Sequence, residues 1–307
     1  MPIQRGYATG KFNVELDGMN AGWIWSADGG QATSDVVLEK VGSDIYQHKH
    51  LSTVKYEDIN VQIATGMSKS FWTWVERSFQ LDHQRKDGAI VASNFDLKET
   101  SRLSFYNALV SEVSFPALDA ASKDAARVGV KIVPEYTRMV TKAQGGDAVQ
   151  GTENRSIQRK WMPANFRLRI DGVDCKRVNK IEALTIKQKI SQYAVGEMRD
   201  YENEPTTIEV PNLVISMAES HSKDLWDWHK SFVIDGKNSQ EHEKTATLEF
   251  LTPNLKTVLV TLTFYNLGIF KIIPDKLDAS AEGIRRVKAE MYCEKINFKF
   301  EAGSTWE

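Results

Sequence analysis

Apolar and polar residues alternate over Phe12-Asn-Val-Glu-Leu16, and the run ends in Asp17-Gly18. That pattern predicts a half-buried strand leading into a tight turn. Moving 154 positions along the chain, from 12 to 166, reproduces it as Phe166-Arg-Leu-Arg-Ile170 before Asp171-Gly172. The inward face stays apolar, whereas the outward face changes from Asn13 and Glu15 to Arg167 and Arg169. A kept interior under an altered surface predicts two copies of one fold set among different neighbours.

The same shift carries Ile59-Asn-Val-Gln-Ile63 onto Leu213-Val-Ile-Ser-Met217, another alternating strand. A helix is predicted next, opened by Ser68 as N-cap, with Phe71, Val75 and Phe79 on one stripe that packs on a sheet. Its counterpart begins at Ser222, and Trp72 and Trp74 align with Trp226 and Trp228. Strands are then predicted at 89–92, 95–97 and 103–105, and in the second copy at 245–251 and 258–264. Here the shift has grown to 159, from 105 to 264, so five residues have been gained, most simply in the loop 235–243.

The most distinctive repeat is Ser104-Phe-Tyr-Asn-Ala-Leu109, followed by Leu118-Asp119-Ala120 and a strand at 128–133. It recurs as Thr263-Phe-Tyr-Asn-Leu267, Leu277-Asp278-Ala279 and a strand at 287–291. Between the copies, residues 141–156 are polar and glycine-rich, a linker by composition. The expected division is 1–140, a linker over 141–160, and 161–307. Each copy, about 130 to 145 residues, fits one compact domain. The fold class expected is mainly β with minor α, two tandem small antiparallel barrels or sandwiches, each with a flanking helix.

Composition narrows function by exclusion. Thirty-nine basic side chains against 41 acidic ones give no global pull toward nucleic acid or an anionic membrane. Cys175 and Cys293 cannot make a disulfide framework or a zinc site and read as buried free thiols. No stretch approaches a signal peptide or a membrane span, so a chain folded in the cytoplasm, without membrane insertion, is expected.

Candidate chemistry is thin. Trp72 and Trp74, at i and i+2 on a helix, do not share a face and cannot form a flat sugar platform, so they read as core or interface residues. His48 and His50 are expected in a loop without further ligands, and His221, His229 and His242 have no counterparts in the first copy, so no metal site is expected. The glycines of 146–151 lack the Lys-Ser/Thr of a phosphate loop. Asp17, Asp119, Asp171 and Asp278 belong to turns. Neither a cofactor nor a catalytic group is expected, and the chain does not read as an enzyme.

The ordered set Phe12 to Gly18, Phe71 to Trp74, Asn107-Ala108, Leu118 to Ala120 and Val128 to Glu135 resembles the tail tube protein family of contractile-tailed phages and contractile injection systems. The second set, Phe166 to Gly172, Trp226, Asn266, Leu277 to Ala279 and Val287 to Glu294, departs from the family pattern at Leu267, where alanine is usual. In the family the Asn-Ala pair marks a turn. The resemblance implies rings of six domains stacked into a hollow tube lined by long strands. Two domains per chain then allow a ring of three chains, as in trimeric hub or tube-initiator proteins, or six chains spanning two successive rings. Implied partners are the chain itself, neighbouring tube, sheath or baseplate proteins, and DNA or protein cargo in the lumen. The implied setting is a virion tail or injection particle assembled in the bacterial cytoplasm. A two-domain β module binding glycan or peptide is the other reading kept.

For an assembling protein the working residues are interface ones. Lys180 to Ile190 is expected as one strand with a polar face suited to a lumen or an inter-ring surface, which nominates Lys187 and Lys189. The locally basic stretch of Lys160, Arg167, Arg169, Lys176, Arg177 and Lys180 complements an acidic face such as that of Glu15 and Asp17 on another domain, or attracts passing DNA or acidic cargo. The candidate interface set is therefore Glu15, Asp17, Arg167, Arg169, Lys187 and Lys189.

Overall fold

Alternation in the first copy produces β1 (Lys11–Leu16), β2 (Met19–Gly29), β3 (Ala32–Glu39), β4 (His48–Tyr56) and β5 (Ile59–Ile63). The helix α1 (Lys69–Ser78) follows, then β6 (Lys86–Ser93), β7 (Glu99–Phe115), β8 (Leu118–Asp119), β9 (Val128–Val133) and β10 (Tyr136–Thr141). The second copy gives β11 (Phe166–Ile170), β12 (Val178–Ile181), β13 (Leu184–Tyr193), β14 (Glu202–Glu209), β15 (Leu213–Ala218) and α2 (Lys223–His229). It ends in β16 (Lys244–Leu251), β17 (Val258–Pro274), β18 (Arg286–Tyr292) and β19 (Lys295–Phe300). These come from a computed structural model that describes residues 10–43, 45–64, 66–142, 148–149, 161–194, 196, 200–276 and 283–301.

Among the described residues every strand pairing is antiparallel. In the first copy the ladder runs β7–β6–β1–β2–β5–β9 and returns to β7, closing a barrel whose core includes Val14, Ile59, Ile63, Phe105 and Val130. Asp17 (φ 49) and Gly18 (φ 80) both lie in the left-handed region, the two-residue turn that matches strand twist in a tight hairpin. The second copy repeats the order β11–β16–β17–β18–β15–β12. Among the described residues β11 and β12 form no ladder, so this second barrel stays open there.

The Asn-Ala pair is not a turn. Asn107 sits inside the 17-residue strand β7 with φ 48, and Asn266 inside the 17-residue β17 with φ 54. Each marks a bulge where a long strand bends, so that its first half pairs β6 and β10 (or β16 and β19) and its second half pairs β9 (or β18). Asparagine tolerates this conformation because its short amide bonds locally.

Ser68 caps α1 as expected, its Oγ accepting from the Phe71 amide at 3.3 Å, and Phe71, Val75 and Phe79 are buried. Ser222 does not cap α2: its hydroxyl donates instead to the Glu219 carbonyl at 2.8 Å, and α2 is shorter and runs into a π turn over Lys230–Ile234.

Other expectations change. Residues 95–97 form a hairpin loop around Asn94, whose Oδ1 accepts from the Asp96 and Lys98 amides, and Phe95 points to solvent. Gly88 stands opposite Phe105 and Ala246 opposite Phe264, a shift of 158 (246 minus 88), so four of the five extra residues precede β16 and one lengthens this loop. Lys180 to Ile190 divides into β12 and β13, because the chain leaves one sheet and joins another at residues 182–183. His48 and His50 lie on β4 rather than in a loop. Strands β10 and β19 add a further rung after Glu135 and Glu294 that alternation did not single out. The Leu277-Asp278-Ala279 segment, Gly146 and Gly151, and most of the linker lie outside the described residues.

Candidate assembly interface

Two residues after β12, the second copy leaves its own barrel. Strand β13 pairs with the far half of β7, Leu184 opposite Phe115 and Lys187 opposite Glu112, so the β13–β14 hairpin extends the sheet of the first copy. In return β8 of the first copy pairs with β12 of the second. The joint is dry at its centre: Leu184, Ile186, Val113 and Phe115 are all buried. At its rim Ser114 and Thr185 hydroxyls lie 3.1 Å apart and Lys187 Nζ lies 3.8 Å from Glu112.

The hairpin is also pinned at the β7 bulge. Asn107 Nδ2 donates to Glu135 Oε2 at 2.7 Å, and the other oxygen of Glu135 accepts from the Asn203 amide of β14 at 3.3 Å. Asn203, fully buried, donates its side-chain amide to the Pro134 carbonyl at 3.1 Å. Arg85 completes the cluster, donating to the Asn203 carbonyl at 2.7 Å and to Glu204 at 2.5 Å, with Glu135 3.4 Å away. The hydrogen bond from Arg85 to Glu204, with both carboxylates nearby, holds the guanidinium above its ordinary pKa.

On the other side of the joint α1 packs on the second copy. Trp72 stacks on Phe300 with centroids 3.6 Å apart, Phe79 meets Phe298 at 5.5 Å, and Phe115 meets Phe250 at 5.6 Å. Glu76 Oε1 accepts from the Phe300 amide at 2.5 Å, and burial raises its pKa. These aromatics bury large areas and make the two copies one continuous core.

Of the six residues nominated from sequence, Lys187 lies in this joint. Lys189 pairs across the hairpin with Glu209 at 2.5 Å. Glu15 accepts from Arg102 at 2.6 Å, and Arg102 also grips Glu99 at 3.0 Å. Asp17 pairs with Lys86 at 2.5 Å, while Arg167 pairs with Glu249 and Arg169 lies 3.8 Å from that carboxylate. The Glu15–Asp17 and Arg167–Arg169 faces are thus not brought together in the chain; each carries partners from its own barrel. Sequence reasoning missed Arg85, Asn203, Phe298 and Phe300. The signal was available for the last two, since the positions of Phe298 and Phe300 are Met139 and Thr141 in the first copy, a difference in side-chain bulk on otherwise equivalent strands.

Cys293 donates to the Tyr265 and Lys295 carbonyls, and burial pushes both its thiol and that of Cys175 up to about 11. Among the described residues no cluster of His, Cys, Asp or Glu is placed to hold a metal ion, and no helix is long and apolar enough to cross a membrane.

The family model described as T4-like virus tail tube protein gp19 matches residues 8–138 and again 162–297. The chain belongs to the tail tube protein family. It carries the domain twice, and it is a structural component of a phage tail or contractile injection particle. Among solved structures, it is similar to the tube terminating cap of the anti-feeding prophage, at 20% identity and a TM-score of 0.41, over 46% of this chain and 95% of that one. A chain of the sheath–tube complex of an extracellular contractile injection system matches at 19% identity and a TM-score of 0.40, over 46% and 95%. Hcp1 from Flavobacterium johnsoniae matches at 15% and 0.27, over 44% and 94%. No curated protein matches the chain.

Proposed function

We propose that this tandem tail tube protein assembles with itself into a ring or tube segment, with its two domains side by side in one ring. The carrying observation is the lateral joint: the β13–β14 hairpin continues the sheet of the first copy, strand beside strand. Sheet continuation joins neighbours around a circumference, whereas domains in successive rings would meet through their ends. A ring of six domains then needs three chains, the arrangement of a hub or tube initiator, rather than six chains spanning two rings.

In this reading the working units are 1–140 and 161–307, tethered through 141–160, with the hairpin of the second completing the first. Arg169 and Asp17, 63% and 46% exposed, face outward beside their own partners and are available to an adjoining tube, sheath or baseplate protein. DNA or protein cargo passes through the lumen, and assembly takes place in the bacterial cytoplasm. Native mass spectrometry with symmetry-resolved electron microscopy of the full chain tests this. Three chains and six domains around one ring are expected; six chains in two stacked rings, or a monomer at every concentration, would overturn it.

A further inference from the structure

The duplication makes the joint between the copies a template for a joint between chains. By the shift of 154, β3 and β4 are the counterparts of β13 and β14. The two hairpins share even an inverted ion pair: Lys189–Glu209 in one is Asp35–Lys55 in the other. Yet β13–β14 is docked, and β3–β4, among the described residues, pairs with no other strand. Its apolar side chains Val36, Val37, Leu38 and Leu51 are exposed.

The dock is duplicated too, filled on β7 and, among the described residues, open on β17. The far half of β7 is buried under its hairpin, Val113 at 0% and Phe115 at 1% exposure. The same half of β17, among the described residues, pairs with β18 on one side only, and the counterparts of Val113 and Phe115, Ile272 and Pro274, are half-buried and exposed. Glu135 of the first copy is nearly covered by the hairpin, whereas its counterpart Glu294, bonded to Asn266 at 2.6 Å as Glu135 is to Asn107, is exposed. The helix shows the same contrast: Trp72 is buried on Phe300, but its counterpart Trp226 is 39% exposed, as is Met139 (61%) on the strand equivalent to β19.

We propose that the β3–β4 hairpin of one chain docks on the β17 edge of a second copy of this chain, repeating between chains the joint that β13–β14 makes within one. This rests on the ring reading and specifies its contact. The register follows from the pairing of Lys187 with Glu112: Thr33 stands opposite the neighbour's Lys271, and Ala32 opposite its Ile272. Trp226 and Val233 of the neighbour cover Met139. Charge supports the fit. Arg85, which holds Glu204 inside the chain, is replaced by Glu243, and Glu204 by His50, so donor and acceptor change sides; within its own hairpin His50 Nε2 lies 3.2 Å from Glu39. Asn203, beside Glu135, is replaced by Lys49, which faces Glu294. Among the described residues one oxygen of Glu243 is buried without a partner, at the place where the hairpin would bring His50. Because donor hairpin and acceptor edge lie on different domains, the contact is head to tail, and each chain offers one of each. Such a contact closes into a ring when its rotation divides the circle, and runs on as a filament when it does not. It also covers an open sheet edge that would otherwise invite indiscriminate pairing.

Disulfide trapping on the full-length protein tests the register. Directly opposite residues in an antiparallel pair are within disulfide reach. Thr33→Cys with Lys271→Cys is expected to give covalent dimers and higher species on non-reducing gels, with the bond mapped by peptide mass spectrometry. Lys187→Cys with Glu112→Cys is the control that closes within one chain and leaves the mass of a monomer. The native thiols, both pushed up to about 11, stay largely protonated near pH 8 and compete little. Trp226→Ser is expected to keep the monomer fold and raise the concentration for half-assembly about tenfold or more. An oligomer that forms at wild-type mass without the 33–271 bond, and is indifferent to Trp226→Ser, overturns this joint and leaves the ring reading standing. A chain that stays monomeric at every concentration overturns both.

Discussion

The bend in β7 offers a sharp test because one residue carries two separable contributions. Asn107 holds φ 48 and donates to the Glu135 carboxylate at 2.7 Å. An alanine there loses a hydrogen bond to a charged acceptor, about 1.5–3 kcal/mol, and meets a left-handed penalty of about 1–2 kcal/mol. Asn107 itself is exposed and Glu135 keeps Arg85, so the low end applies, and Asn107→Ala should cost about 2–3 kcal/mol. Glycine loses the same hydrogen bond but not the backbone penalty, returning only about 0.5–1 kcal/mol in chain entropy. Asn107→Gly should therefore be milder than Asn107→Ala by about 0.5–1 kcal/mol. Urea unfolding followed by tryptophan fluorescence measures this as a shift of midpoint at unchanged slope. The same order, with smaller values, is expected at Asn266, where Glu294 is exposed. Alanine equal to or milder than glycine at position 107 would refute the assignment of the bend to a left-handed asparagine.

Further outcomes follow from the same geometry. The hydrogen bonds from Arg102 hold the Glu99 carboxyl below its ordinary value, so its contribution is complete above about pH 4.5 and is lost as pH falls through the lowered folded value; thermal melts of Glu99→Gln from pH 7 to 3 should show a flatter acid limb than the parent chain. Phe115→Ala removes an aromatic that touches Phe250, Phe298 and Phe300 and should cost about 3–5 kcal/mol, read as a lowered denaturant midpoint. Arg167→Glu with Arg169→Glu sets two carboxylates beside Glu249, itself 14% exposed, and should lower the melting temperature; adding Glu249→Lys should recover much of the loss, and no recovery would count against the pairing.

Much of each barrel was legible along the chain because strand burial has period two and the code is written twice. Phe12 to Gly18, Ile59 to Ile63 and the Trp72–Trp74 helix fall where alternation and capping place them, since those rules depend on neighbours a few residues away. The Phe-Tyr-Asn repeat was visible as a repeat, but not as a bend, because a left-handed residue inside a long strand looks locally like a turn. The interface nominations show the limit more plainly. Glu15, Arg167 and Arg169 looked like charges awaiting a neighbour, yet Glu15 meets Arg102 two strands away across β6, and Arg167 and Arg169 meet Glu249 on the adjacent strand, each brought there by ladder register rather than by sequence distance.

What the amino-acid sequence determined by itself was therefore the domain, its strand alternation and its duplication: local periodicities that a self-comparison exposes. Only the tertiary structure decided that β13 leaves its own barrel for the sheet of the other copy, and that its counterpart β3 remains undocked. Leu184 to Ile190 alternates as a strand does, whereas the contiguous Val36-Val37-Leu38 of β3 does not, and neither pattern says which hairpin finds a sheet to join. The difference arises from long-range partners, Arg85, Glu135 and the aromatic cluster of Trp72 and Phe300, whose contacts exist only once residues 68 or more positions apart share one core.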